Sequence, residues 1–279
     1  MALGGIAACS TEGDFVSEGV SAGPDSTLTA LFPRDVAYTP ATTPFRLAYT
    51  LTDAEGVPLR ELGGPLTFTV SFDGEPIGDP VEVAPHGDGV PRPYLPLPIE
   101  FPRPGIYDVE TEHDGRRLNS QVQVFPAEEI EQPLVGQDLP PVPTPTTTQA
   151  FEVNPICTLN PQCPFHAHDL RDVVGQGTPV AVLLASPAYC STTVCGPILD
   201  LLIDEAEGRD DLLTIHSEVY RNPKGVRDLS EALLAPLPMD YNMPFEPCLF
   251  VADGDGQLVA RGDIVIDRVE IAEMLDLVS

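Results

Sequence analysis

Two cysteines, Cys190 and Cys195, stand between an apolar run and an amphipathic stretch. The run, residues 180–185, reads Val-Ala-Val-Leu-Leu-Ala, the composition of a strand buried on both faces. Gly196 and Pro197 follow Cys195, and residues 198–206 then carry apolar side chains at helical spacing, with proline well placed in a first turn. A cysteine at a helix start faces unpaired backbone N–H groups and the positive end of the helix dipole, which favour thiolate over thiol. Cys195 fits that place, and Cys190 is within reach of a disulfide if the loop curls back. Such a pair either cycles between dithiol and disulfide or staples the loop to its helix without chemistry.

A second group lies just upstream: Cys157, Cys163, His166 and His168. Two cysteines and two histidines can ligate zinc or copper, but histidines two apart depart from the separation of about four to six usual in zinc sites. In an oxidising compartment a local Cys157–Cys163 disulfide is the simpler expectation. Cys248 reads as a small apolar side chain on a buried strand, and His216 as a structural residue on another. His86 and His113 fall in turns and read as solvated. No cofactor is expected.

The elements that must hold these residues change character along the chain. Residues 28–32, 45–51, 66–72, 81–83, 106–112 and 118–125 are short alternating runs and predict strands. The last two are joined through His113-Asp114-Gly115-Arg116, and Asp-Gly is a strong hairpin signal. About seven strands over roughly 100 residues fit a small β-sandwich, assigned to residues 26–126. Residues 127–150 include Leu139-Pro-Pro-Val-Pro-Thr-Pro, which predicts an extended, semi-rigid linker with no packed core. Residues 151–279 then predict strands near 180–185, 212–219, 248–252 and 258–261, and helices over 198–206, 229–234 and 267–277.

Charge narrows the function classes. With 14 Lys and Arg against 43 Asp and Glu, the chain carries a formal −29, and Lys224 is its only lysine. Such a surface repels phosphate backbones, which excludes nucleic acid as a partner and adhesion to anionic membranes through a basic face. Pro at 32 and Gly at 23 argue for many turns and against an all-helical bundle. No apolar run approaches the 18 residues of a membrane-spanning helix.

Four resemblances add to this. The order strand, helix, strand, helix, strand, strand, helix over residues 178–279, with Ser186-Pro-Ala-Tyr-Cys190 and Cys195-Gly-Pro between the first strand and its helix, resembles the thioredoxin-like superfamily. The resemblance implies a cis-proline facing the active site, carried here by Pro247 of Glu246-Pro247, and thiol-disulfide exchange through Cys190 and Cys195. It departs from the family in that Ile198 stands at the usual resolving position. The family's buried acid on the first strand would fall at Leu184 or Tyr189, so no proton acceptor is evident. Cys-x4-Cys followed by Gly also resembles the bacterioferritin-comigratory type of peroxiredoxin, with Cys190 attacking peroxide and Cys195 resolving. That pattern's Thr or Ser three residues before the cysteine is Pro187 here, and its earlier proline is Leu183.

At the other end, Pro104-Gly105-Ile106-Tyr107 resembles the tyrosine corner of immunoglobulin-like sandwiches. Ile6-Ala7-Ala8-Cys9 resembles the lipobox of bacterial lipoproteins, which implies lipidation of Cys9 and makes residues 1–25 a signal remnant and tether. The fold class expected is thus two-domain: an N-terminal all-β immunoglobulin-like sandwich and a C-terminal α/β thioredoxin-like fold. The function expected is thiol-disulfide exchange on protein thiols and disulfides of the cell envelope, with a lipid anchor as the sole membrane contact. Thiol peroxidase activity and a non-catalytic binding module with structural disulfides are the alternatives.

Overall fold

The computed structural model describes residues 26–34 and 36–278. Cys9, the position expected to carry lipid, lies outside them. Among the described residues nine strands fill the first half: β1 (Thr27–Ala30), β2 (Thr39–Pro40), β3 (Phe45–Thr52), β4 (Leu66–Phe72), β5 (Glu75–Pro76), β6 (Val81–Val83), β7 (Leu95–Ile99), β8 (Gly105–His113) and β9 (Arg116–Phe125). One sheet has the order β1-β3-β7; the other runs β2-β9-β8-β4-β5, with β6 paired to β4. Alternation along β9 sends Leu118, Ser120, Val122 and Val124 inward and their neighbours outward, the pattern of a sheet with one wet face. The two inner faces share one core that includes Leu47, Tyr49, Phe68, Leu97 and Val109. Tyr107 donates its hydroxyl to the Arg103 carbonyl at 2.7 Å, a corner contact that pins the entry to β8.

The second half contains α1 (Leu170–Val173), β10 (Val180–Leu184), α2 (Cys195–Ala206), β11 (Leu213–Ser217), α3 (Pro236–Asp240), β12 (Cys248–Ala252), β13 (Leu258–Asp263) and α4 (Arg268–Asp276). Its sheet has the order β11-β10-β12-β13; β10 and β11 are parallel, and β12 is antiparallel to both neighbours. Every residue of β10 and β12 is buried, so these strands are apolar throughout rather than alternating.

The expected fold class is corrected by these proportions. The described residues hold 32% strand against 14% helix in three sheets, too little helix for an α/β thioredoxin-like half, and the two-part class is withdrawn in favour of a predominantly β chain. The shortfall has a local cause. The helix expected over residues 229–234 is only a single 3-10 turn, Leu229–Glu231, and the five residues of α3 follow. Pro223, Pro236, Pro238 and Pro244 punctuate this stretch and deny it the N–H donors that a longer helix needs.

The proline-threonine stretch also departs from expectation. Leu134, Leu139, Val142, Thr144 and Thr146 are buried, and Leu139 N–H donates to the Gly256 carbonyl while Leu258 N–H donates to Gln137. Rather than standing free of any core, the stretch is a strap laid on the C-terminal sheet. Among the described residues no helix is long and apolar enough to cross a membrane.

The two halves touch closely. Ala48 and Tyr94 pack on Val265, and the Tyr38 ring meets Phe245 edge-on while its hydroxyl donates to Asp263 at 2.9 Å. This contact sets the first half beside the loop that carries the expected chemistry.

Candidate functional site

Strand β10 delivers the chain to Ser186, where the sheet ends and the cysteine loop begins. The Ser186 hydroxyl accepts from Val219 N–H at 2.8 Å, and the Tyr189 N–H closes a turn onto the Ser186 carbonyl. Thr193 adopts φ 61°, in the left-handed region, and this reversal turns the loop into α2. Helix α2 starts at Cys195, and its first internal bond runs from Ile198 N–H to the Val194 carbonyl. Cys190 and Cys195 are joined in a disulfide with Cα atoms 6.0 Å apart.

The two sulfurs differ in access. Cys190 is half-buried, whereas Cys195 is fully buried among Ile198, Leu199 and the apolar side chains of the second half. Beside both lies the carboxylate of Glu246, within 4.8 Å of each sulfur. Burial pushes the Glu246 carboxyl up to about 7, with Glu218 adding to the rise and the Ser186 N–H bond opposing it. The peptide between Glu246 and Pro247 is cis, as the thioredoxin-like resemblance implied. A proton-carrying group therefore stands next to the disulfide although none was evident on the first strand. The sequence signal was its position immediately before Pro247.

A groove of about 790 Å³ opens at the disulfide loop. Tyr189 and Thr192 from the loop, Tyr220, Leu234 and Glu246 line one side, and Phe32 of the first half lines another. The sandwich thus supplies one wall of the space beside the cysteines.

The second constellation forms with one substitution. Cys157 and Cys163 are free thiols, not the expected disulfide, and both are buried. His166 and His216 join them, with the four ligand-type atoms all within 4.8 Å of one another. His168, read as the partner of His166, is exposed and takes no part. His216, read as merely structural, alternates with Ile215 on β11 and faces the sulfurs; the chain supplied no local signal for this, because the Cys163–His216 contact spans 53 positions. Cys163 keeps Cys157 well below the usual thiol range through their shared bond and is itself pushed up by it. The Thr158 hydroxyl accepts from Ala188 N–H at 3.0 Å, which braces this loop against the cysteine loop.

Three smaller expectations need correction or placement. His86 is not free in solvent but meets Asp267 at 3.1 Å. His113 is buried beside Ser26. Cys248 is buried on β12, and burial pushes its thiol well up, consistent with a packing role.

No protein-family model matches the chain, and no curated protein matches it. Among solved structures, the titin Ig tandem domains A164-A165 align with 36% of this chain at 11% identity and a TM-score of 0.23. The chain spans about half of that structure, 48% of its length, and so loose a superposition carries no argument about fold or activity.

Proposed function

We propose that the protein carries out thiol-disulfide exchange on protein substrates, with Cys190 as the sulfur that meets the partner. The observation that carries this is the asymmetry of the disulfide, one sulfur on a half-buried loop residue and the other fully buried at a helix start, with Glu246 beside both. A substrate thiolate attacks the Cys190 sulfur, the Cys190–Cys195 bond breaks, and the electron pair leaves on Cys195. The helix start stabilises that thiolate, and the Glu246 carboxyl protonates it. A second substrate thiol, as its thiolate, then attacks the substrate sulfur of the mixed disulfide. This releases a substrate disulfide and the Cys190 thiolate, which takes up a proton. In the opposite direction the dithiol reduces a substrate disulfide, and Glu246 takes the proton from Cys195.

The groove suits an extended segment with apolar side chains, given Phe32, Leu234 and Tyr220 along it. The proposed setting is the cell envelope, with lipid on Cys9 as the anchor and envelope protein thiols and disulfides as partners; it rests on the Ile6-Ala7-Ala8-Cys9 sequence alone. The test is exchange between the full chain and a disulfide-bonded protein substrate in a glutathione buffer. Loss of exchange in both Cys190→Ser and Cys195→Ser is expected. Unchanged exchange in those variants, or a Cys190–Cys195 bond that resists reduction down to about −300 mV as structural disulfides do, abandons the proposal.

A further inference from the structure

We propose that Cys157, Cys163, His166 and His216 bind one zinc ion in a closed tetrahedral site beneath the cysteine loop. At zinc bond lengths of about 2.3 Å to sulfur and 2.0–2.1 Å to nitrogen, tetrahedral ligands stand about 3.5 Å apart for a sulfur and a nitrogen and about 3.3 Å apart for two nitrogens. The Cys163 sulfur lies 3.3 Å from His166 Nε2 and 3.4 Å from His216 Nδ1, and the two nitrogens are 3.4 Å apart. The Cys157 sulfur completes the set. The three measured separations fit one face of a coordination tetrahedron, and the Cys157 sulfur lies within 4.8 Å of each of its corners.

The groups behind the ligands point the same way. His166 Nδ1 faces the Pro145 carbonyl at 3.3 Å, and His216 Nε2 faces the Ala185 carbonyl at 2.8 Å. Each carbonyl accepts the proton of the outer ring nitrogen, which leaves the inner nitrogen with its lone pair aimed at the centre. Carbonyl partners of this kind fix tautomer and ring orientation in metal-bound histidines. All four ligand residues are buried. Two cysteine thiolates cancel the charge of the ion, so the loaded site is neutral and suited to burial.

The donor set selects the ion's class. Two sulfurs and two imidazoles with no carboxylate disfavour magnesium and calcium, and four protein ligands leave no open position for a substrate. The role is structural. Residues 154–169 form no helix or strand, yet they reach from the Pro/Thr strap to the cysteine loop, held by the Phe165 carbonyl on His216 N–H and by Thr158 on Ala188. An ion here ties that irregular loop to β11, and it does so whether or not Cys190 and Cys195 exchange disulfides.

The test uses the reduced full chain, stripped of metal and then titrated with zinc. One ion per chain is expected, and cobalt in its place gives the visible absorption of a tetrahedral ion with thiolate charge-transfer bands. His216→Ala weakens binding by more than the 10–100-fold typical of losing a partner behind a ligand, while His168→Ala changes nothing. Should His216→Ala misfold, the cobalt spectrum of the parent chain still decides. No uptake at equimolar zinc, an octahedral cobalt spectrum, retention of binding in folded His216→Ala or loss of it in His168→Ala overturns the proposal.

Discussion

Arg46 on β3 grips Glu270 on α4 through two parallel bonds, with Nε and Nη2 each 2.6 Å from a carboxylate oxygen. The guanidinium also donates to the Asp263 and Val265 carbonyls at 3.1 and 2.6 Å, and Tyr94 donates its hydroxyl to the same carboxylate. The pair joins the first half to the second across 224 positions, and both side chains are mostly buried. Removing one partner leaves the other charged and desolvated. Arg46→Met should therefore cost about 3 kcal/mol, and adding Glu270→Leu should recover much of it. Urea midpoints of the two variants check this; equal midpoints for the single and double variant would sink it. Because the first half walls the groove, Arg46→Met should also slow exchange with a protein substrate more than with glutathione.

Close by, Asp267 gives a prediction in pH. Its carboxylate caps α4 through Glu270 N–H at 3.0 Å and accepts from Gly87 and Asp88 N–H at 2.9 and 3.2 Å, with His86 beside it. Burial alone would raise the Asp267 carboxyl, but His86 and these amides hold it down to about 2. Its bond to Asp267 raises His86. A depressed carboxyl contributes stability above its ordinary 3.8 that is lost as pH falls toward 2, here about 2 kcal/mol. A raised imidazole contributes stability below its ordinary 6.5 that is lost as pH rises through the raised value. The clasp is thus strongest between about pH 4 and 6.5. Thermal unfolding from pH 3 to 9 should show His86→Gln losing the alkaline decline of this contribution; an unaltered alkaline limb in that variant would rule the clasp out as its source.

Much of this was legible from local pattern. β3, β4, β6, β8 and β9 appear where alternation places them, because one face of each meets the core. β7 was missed since Leu95-Pro-Leu-Pro-Ile carries two prolines, and its place at the edge of a three-stranded sheet is what tolerates them. The Cys190–Cys195 pair was visible because it spans only five positions. Glu246 and His216 were not, since Glu246 reaches Ser186 across 60 positions and His216 reaches Cys163 across 53. Spacing rules see one element at a time, and both contacts join segments that meet only in the folded chain. The fold class failed for a different reason: the predicted elements carried no measure of how short the helices would be between prolines.

The difference in access between the two sulfurs predicts unequal reactivity. In the reduced chain an alkylating agent should modify Cys190 at least about tenfold faster than Cys195, which is fully buried. Cys195→Ser should trap substrates as mixed disulfides on Cys190, and Cys190→Ser should trap none. Peptide mapping by mass spectrometry checks both, and equal labelling of the two cysteines would remove the basis for assigning Cys190 the attacking role.

Glu246 links the chemistry to the stability of the same site. Its carboxyl titrates near 7 in the folded chain against an ordinary 4.5, because burial disfavours the charged form. A carboxyl raised on folding contributes stability that is complete below 4.5 and declines as pH rises to about 7, a total of ~3 kcal/mol. Glu246→Gln cannot ionise, so it should gain stability relative to the parent between pH 5 and 8. The same substitution removes the proton donor to Cys195, and should slow reduction of the disulfide below pH 7 by roughly the factor of 10² or more that a positioned acid supplies. Above pH 7 the ionised parent carboxylate no longer donates and repels the departing thiolate, so the two rates should converge. Urea midpoints and rates with a low-pKa thiol, kept ionised throughout the range, test both halves. A variant that tracks the parent at every pH in both measurements would show that the carboxyl neither titrates near 7 nor exchanges protons with Cys195.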